Sequence, residues 1–487
     1  MKVDVAILGT GPSGLCTLSR MLLPDTDTMG DEEHSVQCRH GTRIGNTVPS
    51  SVALVDPNSD CQWCSELRRA FQALNIDFMR STFSGHPDPR DEVALFNFAH
   101  SRTDEPHPME PSVDPGRVVR QNVERQMFSI PAADTMWRFV DTIGRECLDA
   151  AKRAGTSIER VPAVAQTIQW DDAARHFVIG FNQGLPVLTA RIVVYACGRP
   201  AAACRIPRPL AHLTDSPLLS HARCIHEASP GELQMASKER ATVVVVGGGL
   251  TACDLAVTLA RKNPLCTVHI VSRRPIRVSP FDLPLTYFGS QARNERLFRF
   301  FELESPNERE QFLLSERPSA SVTSKTNAAV ARLQQDGRVV LHQAAEVVTC
   351  SESASGKQLD LELSDGETLA SVARVWMATG SAADVRACPL LSSLSRQVPI
   401  RLSESGLPWL DESRIGAQRI VESEPWSRAM ACCADGSGRG GGGSRGNAAE
   451  MRRMRRKKKK KEVRTNSKST AAAASNRFAL LEDCTDA

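Results

Sequence analysis

Gly9, Gly11 and Gly14 stand in the run Gly9-Thr10-Gly11-Pro12-Ser13-Gly14, directly after the apolar segment Val3-Asp4-Val5-Ala6-Ile7-Leu8. Gly247-Gly248-Gly249-Leu250-Thr251-Ala252 likewise follows Val243-Val244-Val245-Val246. Glycine lets a chain turn sharply and lets phosphate oxygens reach main-chain N–H groups, and a helix that opens at such a turn offers the anion its positive dipole end. A pyrophosphate-binding turn therefore needs a strand, glycines and a helix in that order. One copy is a weak signal. Two copies about 240 residues apart point to two dinucleotides held by one polypeptide. The residues that would carry the contacts are Gly9, Gly11, Pro12, Ser13 and Gly14 in the first copy, and Gly247, Gly249 and Ala252 in the second.

The ends of the neighbouring strands add chemistry. Ser51-Val52-Ala53-Leu54-Val55-Asp56 reads as a second strand ending in an acid, the position from which a carboxylate accepts hydrogen bonds from a ribose. It arrives about 45 residues after Gly11 rather than about 20, so Asp25 to Ser50 must loop out as a surface insertion. The alternative is an Asp that opens the Asp56-Pro57-Asn58 turn. After the second glycine run, Thr267-Val268-His269-Ile270-Val271 ends in Ser272-Arg273-Arg274 instead of an acid. Guanidinium groups bind a 2′-phosphate with bidentate geometry, whereas a carboxylate would repel it, so the spacing favours NADPH over NADH. His269, inside an apolar strand, reads as a structural imidazole. Cys61-Gln62-Trp63-Cys64 is a close thiol pair that could relay electrons by thiolate exchange, although two ordinary thiols flanking a packing Trp is the plainer reading. No catalytic side chain and no metal-ligand set is singled out.

The elements that must position these residues follow from pattern. Met136 to Ala151 carries apolar residues at helical spacing. Ala163 to Trp170, His176 to Phe181 and Leu185 to Ala190 read as a meander, closed by the apolar run Arg191 to Gly198. A similar strand-then-glycine run returns at Arg374 to Gly380. Length 487 accommodates two large α/β domains. Net charge is +4, but Arg439 to Lys468 holds 13 Lys and Arg against two Glu, so the rest of the chain is acidic. No run of 18 apolar residues exists, which argues against a transmembrane segment. The first strand starts at Val3, and the 15 Cys lack paired metal spacing, so a reduced, cytoplasmic protein is expected. From residue 429 onward, a Gly/Ser/Arg linker, the basic run Arg452 to Lys461 and an Ala tract predict a disordered basic tail, with a short helix near Phe478 to Glu482. Its charge suits anionic surfaces or an import receptor, the latter giving nuclear localisation as an alternative. Without interleaved aromatics, specific nucleic-acid recognition is not expected.

Taken together, these motifs resemble the flavoproteins with two dinucleotide-binding domains: flavin-containing monooxygenases, lysine/ornithine N-hydroxylases and pyridine-nucleotide disulfide reductases. The matching pieces are Gly9 to Gly14 for FAD, Tyr195-Ala196-Cys197-Gly198 as a returning strand, Gly247 to Ala252 for the nicotinamide cofactor, and Ala378-Thr379-Gly380 as the family's Ala-Thr-Gly segment. The resemblance implies a doubly wound α/β fold with an NAD(P) domain inserted in a split FAD domain: residues 1–204, 205–372 and 373–428, the last apparently truncated, followed by the tail 429–487. It also implies that strand 374–378 joins strand 3–8 in one sheet, and that Gly198, Thr379 and Gly380 lie beneath a cofactor. Trp63 to Phe98, including His86, Asp88 and Arg90, looks most like the monooxygenase branch, where this stretch lies near the flavin, although His86-Pro87-Asp88-Pro89 is also good turn chemistry. The implied activity is an FAD- and NADPH-dependent oxidoreductase acting on a small-molecule substrate, of monooxygenase type. Alternatives are a disulfide reductase using Cys61 and Cys64, and a non-catalytic nucleotide-binding relative. The last has a specific basis: the family's closing strand ends in Gly-Asp, and no Gly-Asp occurs between Ser381 and Val421.

Overall fold

In the computed structural model, the described residues run from 1 to 406 with interruptions, the longest at 24–47 and 111–129. The expected insertion at 25–50 falls mostly outside them, and residues 407–487, with the basic tail and its short helix, lie wholly outside.

Two sheets organise the chain. The first runs Ser157–Val161, Ser51–Val55, Lys2–Leu8, Leu188–Tyr195, His176–Phe181, Ala165–Asp171. Its first four strands are parallel and the last two antiparallel. Continuous apolar runs suit strands covered on both faces. On one face Val5, Ile7, Val52 and Leu54 pack against the helices Pro12–Leu22 and Ala133–Ala154, and on the other Ala6, Leu8, Ala53 and Val55 pack with Ile168, Phe177 and Leu188. The long helix extends the one expected over Met136 to Ala151 by a few residues at each end. The third meander strand and the closing run form a single element, Leu188–Tyr195, because Leu188, Ala190, Val193 and Val194 are all buried and no Gly or Pro breaks the run.

The second sheet repeats this plan. Its order is Val339–Gln343, Cys266–Ser272, Ala241–Val246, Thr368–Met377, Leu359–Leu363, Val347–Glu352, with the helix Leu250–Lys262 on one face. Val243 pairs with Arg374 and Val246 with Met377. The expectation that strand 374–378 would join strand 3–8 is therefore corrected: the two lie in different sheets. Thr368–Met377 is to the second sheet what Leu188–Tyr195 is to the first, a strand whose first half pairs antiparallel with a meander and whose second half runs parallel beside the glycine strand. Thr368–Met377, which the expected boundary at 372/373 divides, lies whole in the second sheet.

The two sheets are joined by paired crossings. Cys204 forms an antiparallel bridge with Ser381, and the Arg205 N–H donates to the Gly380 carbonyl at 3.0 Å. Past this point the chain returns to the first sheet as a helix, Pro389–Ser395, whose Leu390 and Leu394 join the core of Ile168 and Phe177. Gln397 Oε1 then accepts the Trp170 N–H at 2.9 Å.

One difference between the halves matters for the site. In the second sheet the short strand Leu219–His221 pairs with Val375–Met377 and covers the outer edge of the returning strand. In the first sheet, His176–Phe181 reaches only Leu188 to Ala190, and among the described residues no strand pairs with Ile192–Tyr195 on that side.

Candidate dinucleotide sites

The first turn is built by close approach. Gly9 has φ +100°, and a Cβ there would stand 2.6 Å from the Ala196 carbonyl oxygen; one on Gly14 would stand 2.1 Å from the Gly9 carbonyl oxygen. These glycines let the strand, the helix and the returning segment meet. Gly11 is different. It is the N-cap of Pro12–Leu22, has ordinary extended torsions, and a Cβ on it would meet no protein atom within 4 Å. Space above an uncapped helix N-terminus is what a pyrophosphate requires. Pro12, which has no N–H to satisfy, occupies the start of the helix.

Asp56 lies at the end of the second strand as expected, but its partners are the turn's own. Oδ2 accepts the Thr10 N–H at 3.0 Å and the Thr10 hydroxyl at 2.7 Å; Oδ1 accepts the Asn58 N–H at 3.0 Å and Asn58 Nδ2 at 2.7 Å. A carboxylate offers about four lone-pair sites, and all are used. The turn-opening alternative is thus the arrangement present, extended by a hold on Thr10 that pins the glycine loop. The Cys64 N–H donates to the Thr10 carbonyl at 3.1 Å from the other side.

The second turn repeats the main-chain hydrogen bonds of the first. The Gly9 and Gly247 N–H groups each donate at 2.8 Å to the carbonyl at the end of the adjacent strand, Val55 and Val271. The Ala196 and Ala378 N–H groups each donate at 2.8 Å to the glycine strand's own carbonyls, Leu8 and Val246. A Cβ on Gly247, at φ +141°, would stand 2.4 Å from the Ala378 carbonyl oxygen. Gly249 caps Leu250–Lys262 as Gly11 caps its helix, and the fully buried Ala252 takes the place of Gly14. Gly198 and Gly380, both in the left-handed region at φ +67° and +75°, end the two returning strands.

Around the second turn the surroundings diverge. A Cβ on Gly248 would stand 2.1 Å from Ser272 Oγ, and that hydroxyl donates to the Arg274 carbonyl at 2.7 Å. The turn bearing exposed Arg273 and Arg274 is thereby folded onto the glycine loop. Gly248 belongs with the site residues; three consecutive glycines were its signal. Thr379 gives its hydroxyl to the Arg205 carbonyl and lies 3.4 Å from His221 Nε2, so it braces the crossing. Burial and nearby Arg223 lower the His221 pKa, holding the imidazole neutral, with Nδ1 accepting the Arg223 N–H at 3.1 Å.

Other singled-out residues serve the framework. Asp88 is buried and paired at 2.7 Å with Arg90, which also reaches Glu146 on the long helix at 2.9 Å; His86 packs edge-on against Phe139. Together they brace a turn, in keeping with its His-Pro-Asp-Pro chemistry. His269 Nδ1 lies 2.9 Å from His342 Nε2, and burial together with that neighbour lowers its pKa, a structural imidazole. Cys61 lies outside the described residues. Cys64 is buried, with φ +60°, and its thiol is pushed up to about 12 by desolvation. Trp63 fills the space over Gly144, where a Cβ would stand 2.0 Å from its Nε1.

No protein-family model matches the chain, and no curated protein matches its sequence. Solved structures do match its fold. The L-lysine 6-monooxygenase of Pseudomonas syringae aligns over 84% of this chain and 87% of its own, at 19% identity and a TM-score of 0.55. The ornithine hydroxylase of Pseudomonas aeruginosa aligns over 83% and 87%, at 16% identity and a TM-score of 0.55. The Kutzneria sp. 744 ornithine N-hydroxylase, in complex with reduced FAD, NADP+ and L-ornithine, aligns over 84% and 88%, at 16% identity and a TM-score of 0.53. The chain therefore shares the two-Rossmann fold of these proteins.

Proposed function

We propose that this chain is an FAD-dependent, NADPH-using oxidoreductase of monooxygenase type acting on a small molecule. The observation that carries the reading is the duplicated turn with an arginine-bearing strand end on the second copy alone. Two equivalent pyrophosphate cradles call for two dinucleotides, and Arg273 and Arg274 select a 2′-phosphorylated one for the second. In this reading Gly9, Gly11, Pro12, Ser13, Gly14 and Gly198 hold FAD, with Asp56 fixing their loop. Gly247, Gly248, Gly249, Ala252, Ser272, Arg273 and Arg274 hold NADPH, with Thr379 and Gly380 shaping that site's floor. The FAD fold comprises residues 1–204 and the segment returning after Gly380. When bound, FAD supplies hydride acceptance from NADPH and electron transfer onward; the protein supplies orientation. A buried, protonated Cys64 disfavours the disulfide-reductase reading, since thiolates carry that exchange. A cytoplasmic setting accords with the ten described cysteines, which form no disulfide.

That no strand among the described residues pairs with Ile192–Tyr195 on its outer side favours a second reading, a relative that binds flavin weakly or not at all. Both are tested by the absorption spectrum of the purified protein with FAD titration. The expected result is an oxidised-flavin spectrum at substoichiometric occupancy, filled by added FAD, with slow NADPH oxidation. Stoichiometric, non-dissociating FAD shows that another segment closes the site; no binding of FAD at any concentration refutes the oxidoreductase.

A further inference from the structure

Arg80 belongs to the strap that leaves the first fold and crosses to the second. The strap begins at Trp63 and Cys64, which lie in the first core, and continues as the helix Ser65–Leu74, whose Ala70, Ala73 and Leu74 lie in the second. Thr258 Oγ1 ties the helix's end to the second fold by donating to the Leu74 carbonyl at 2.7 Å. The next residues are anchored back on the first fold. The Ala133 N–H donates to the Asp77 carbonyl at 2.7 Å, and the Met79 N–H to the Pro131 carbonyl at 2.9 Å, at the N-terminus of the long helix that packs on Pro12–Leu22.

From that anchorage the Arg80 guanidinium reaches a two-stranded ribbon of the second fold, Arg277–Val278 beside Ser321–Val322. Nη1 donates to the Ser321 carbonyl at 2.8 Å, and Nη2 donates to Ser321 Oγ at 2.6 Å and to the Ser279 carbonyl at 3.4 Å. The ribbon flanks the second glycine loop. Ala320, which precedes Ser321 and has φ +22°, places its Cβ 3.3 Å from where a Cβ on Gly249 would stand. One arm thus descends from the arginine turn, and the other forms the wall over Gly249.

We infer that Arg80 is a positioning residue which, from the first fold, sets the wall of the second pyrophosphate cradle and so the placement of the nicotinamide nucleotide relative to the flavin. The inference rests on the nicotinamide reading of the second fold. A forked guanidinium held by three acceptors on one short ribbon fixes direction as well as distance, which an apolar contact would not. Two of its three hydrogen bonds fall on Ser321, next to the Ala320 that stands over Gly249, so its effect falls on ligands that need the Gly249 loop.

The test is isothermal titration of the FAD-bearing protein with NADP+ and, separately, with adenosine 2′-monophosphate, which reads the arginine turn without the pyrophosphate. For Arg80→Ala we expect NADP+ affinity to fall roughly 3- to 30-fold while adenosine 2′-monophosphate affinity and FAD content stay within twofold. A merely structural loss would lower all three together. If Arg80→Ala does not fold, Ser321→Ala carries the test, with a smaller loss of the same selective kind. Wild-type binding of NADP+ with an unchanged or unselective variant overturns the Arg80 inference alone; absence of NADP+ binding to the wild type overturns the nicotinamide reading and the inference with it.

Discussion

A Cβ on Gly11 meets no protein atom within 4 Å, and its φ of −69° and ψ of −173° lie in extended backbone that valine adopts readily. Gly11→Val is therefore a substitution the polypeptide tolerates and a phosphate does not. The folding cost is that of a poor N-cap, about 1 kcal/mol, which lowers the melting temperature of the flavin-free protein by roughly 2 to 4 °C. The ligand cost is larger. Three added carbons occupy the approach to the helix N-terminus, and losing two charge-assisted backbone contacts at about 1.5–3 kcal/mol each weakens FAD by roughly 10²- to 10⁴-fold. Gly14→Ala behaves oppositely, because its Cβ would stand 2.1 Å from the Gly9 carbonyl oxygen and the helix must move off the strand. Overpacking of that kind costs about 1–3 kcal/mol, so the flavin-free protein itself melts earlier. Differential scanning fluorimetry of both variants with and without FAD, alongside FAD titration, separates the effects. Wild-type FAD affinity in Gly11→Val would refute the assignment of the first turn to a pyrophosphate.

Three further outcomes follow from the same geometry. The double substitution Arg273→Ala, Arg274→Ala should cost roughly 10- to 150-fold in NADPH affinity and little for NADH; equal losses for both nucleotides would contradict the 2′-phosphate role. Cys64→Ala should leave NADPH oxidation unchanged, and iodoacetamide at pH 7.5 should not modify Cys64 in the folded protein, whose thiol burial pushes up to about 12; rapid labelling there would reopen the dithiol chemistry. Asp254, donated to by Thr326 Oγ1 at 2.9 Å, is pushed up from 3.8 to about 6 by burial, so the folded state holds a proton the unfolded state has released between those values. Stability therefore falls as pH rises through that window, and Asp254→Asn should stabilise by about 2–3 kcal/mol at pH 7.5 and by much less at pH 4.5, read as melting temperature. A pH-independent effect would remove the linkage.

Both glycine turns, the long helix and the meander were legible because each rests on a local rule: β-branched runs for covered strands, glycine where backbones meet, apolar residues at helical spacing. The placement of Arg374 to Gly380 was not. Its apolar run suits any parallel strand, and nothing local distinguishes a neighbour of Lys2–Leu8 from a neighbour of Ala241–Val246. That choice is made by the meander Val347–Glu352 and Leu359–Leu363, which feeds Thr368–Met377 straight into the second sheet. Asp56 illustrates another limit. An acid at a strand end is recognisable in sequence, but its saturation by Thr10 and Asn58 depends on a turn conformation that no spacing encodes. Arg80 falls in the stretch expected near the flavin, but its hold on the second fold was not legible for a similar reason, since Ser321 lies 241 residues away.

Because the two turns agree so closely, each serves as a control for the other. In the second fold Leu219–His221 covers the outer edge of Val375–Met377, and His221 from that strand reaches Thr379 at the turn itself. Edge coverage and turn geometry are thus linked through one side chain. In the first fold, among the described residues, the corresponding edge at Ile192–Tyr195 is approached by Cys388, whose Sγ donates to the Tyr195 hydroxyl at 3.2 Å, but it is not paired by a strand. The phenol's pKa is raised, chiefly by burial and also by that contact, so Tyr195 stays neutral and anchors the returning chain without contributing charge to the cradle. The first turn keeps its shape by other means, with Asp56 gripping Thr10 on one side and Cys64 on the other. Such bracing fixes the glycine loop from its own turn and from Cys64, independently of any strand at the sheet edge. On the FAD reading, recognition of the pyrophosphate in the first fold therefore rests on the hold of Asp56 and Cys64 on Thr10.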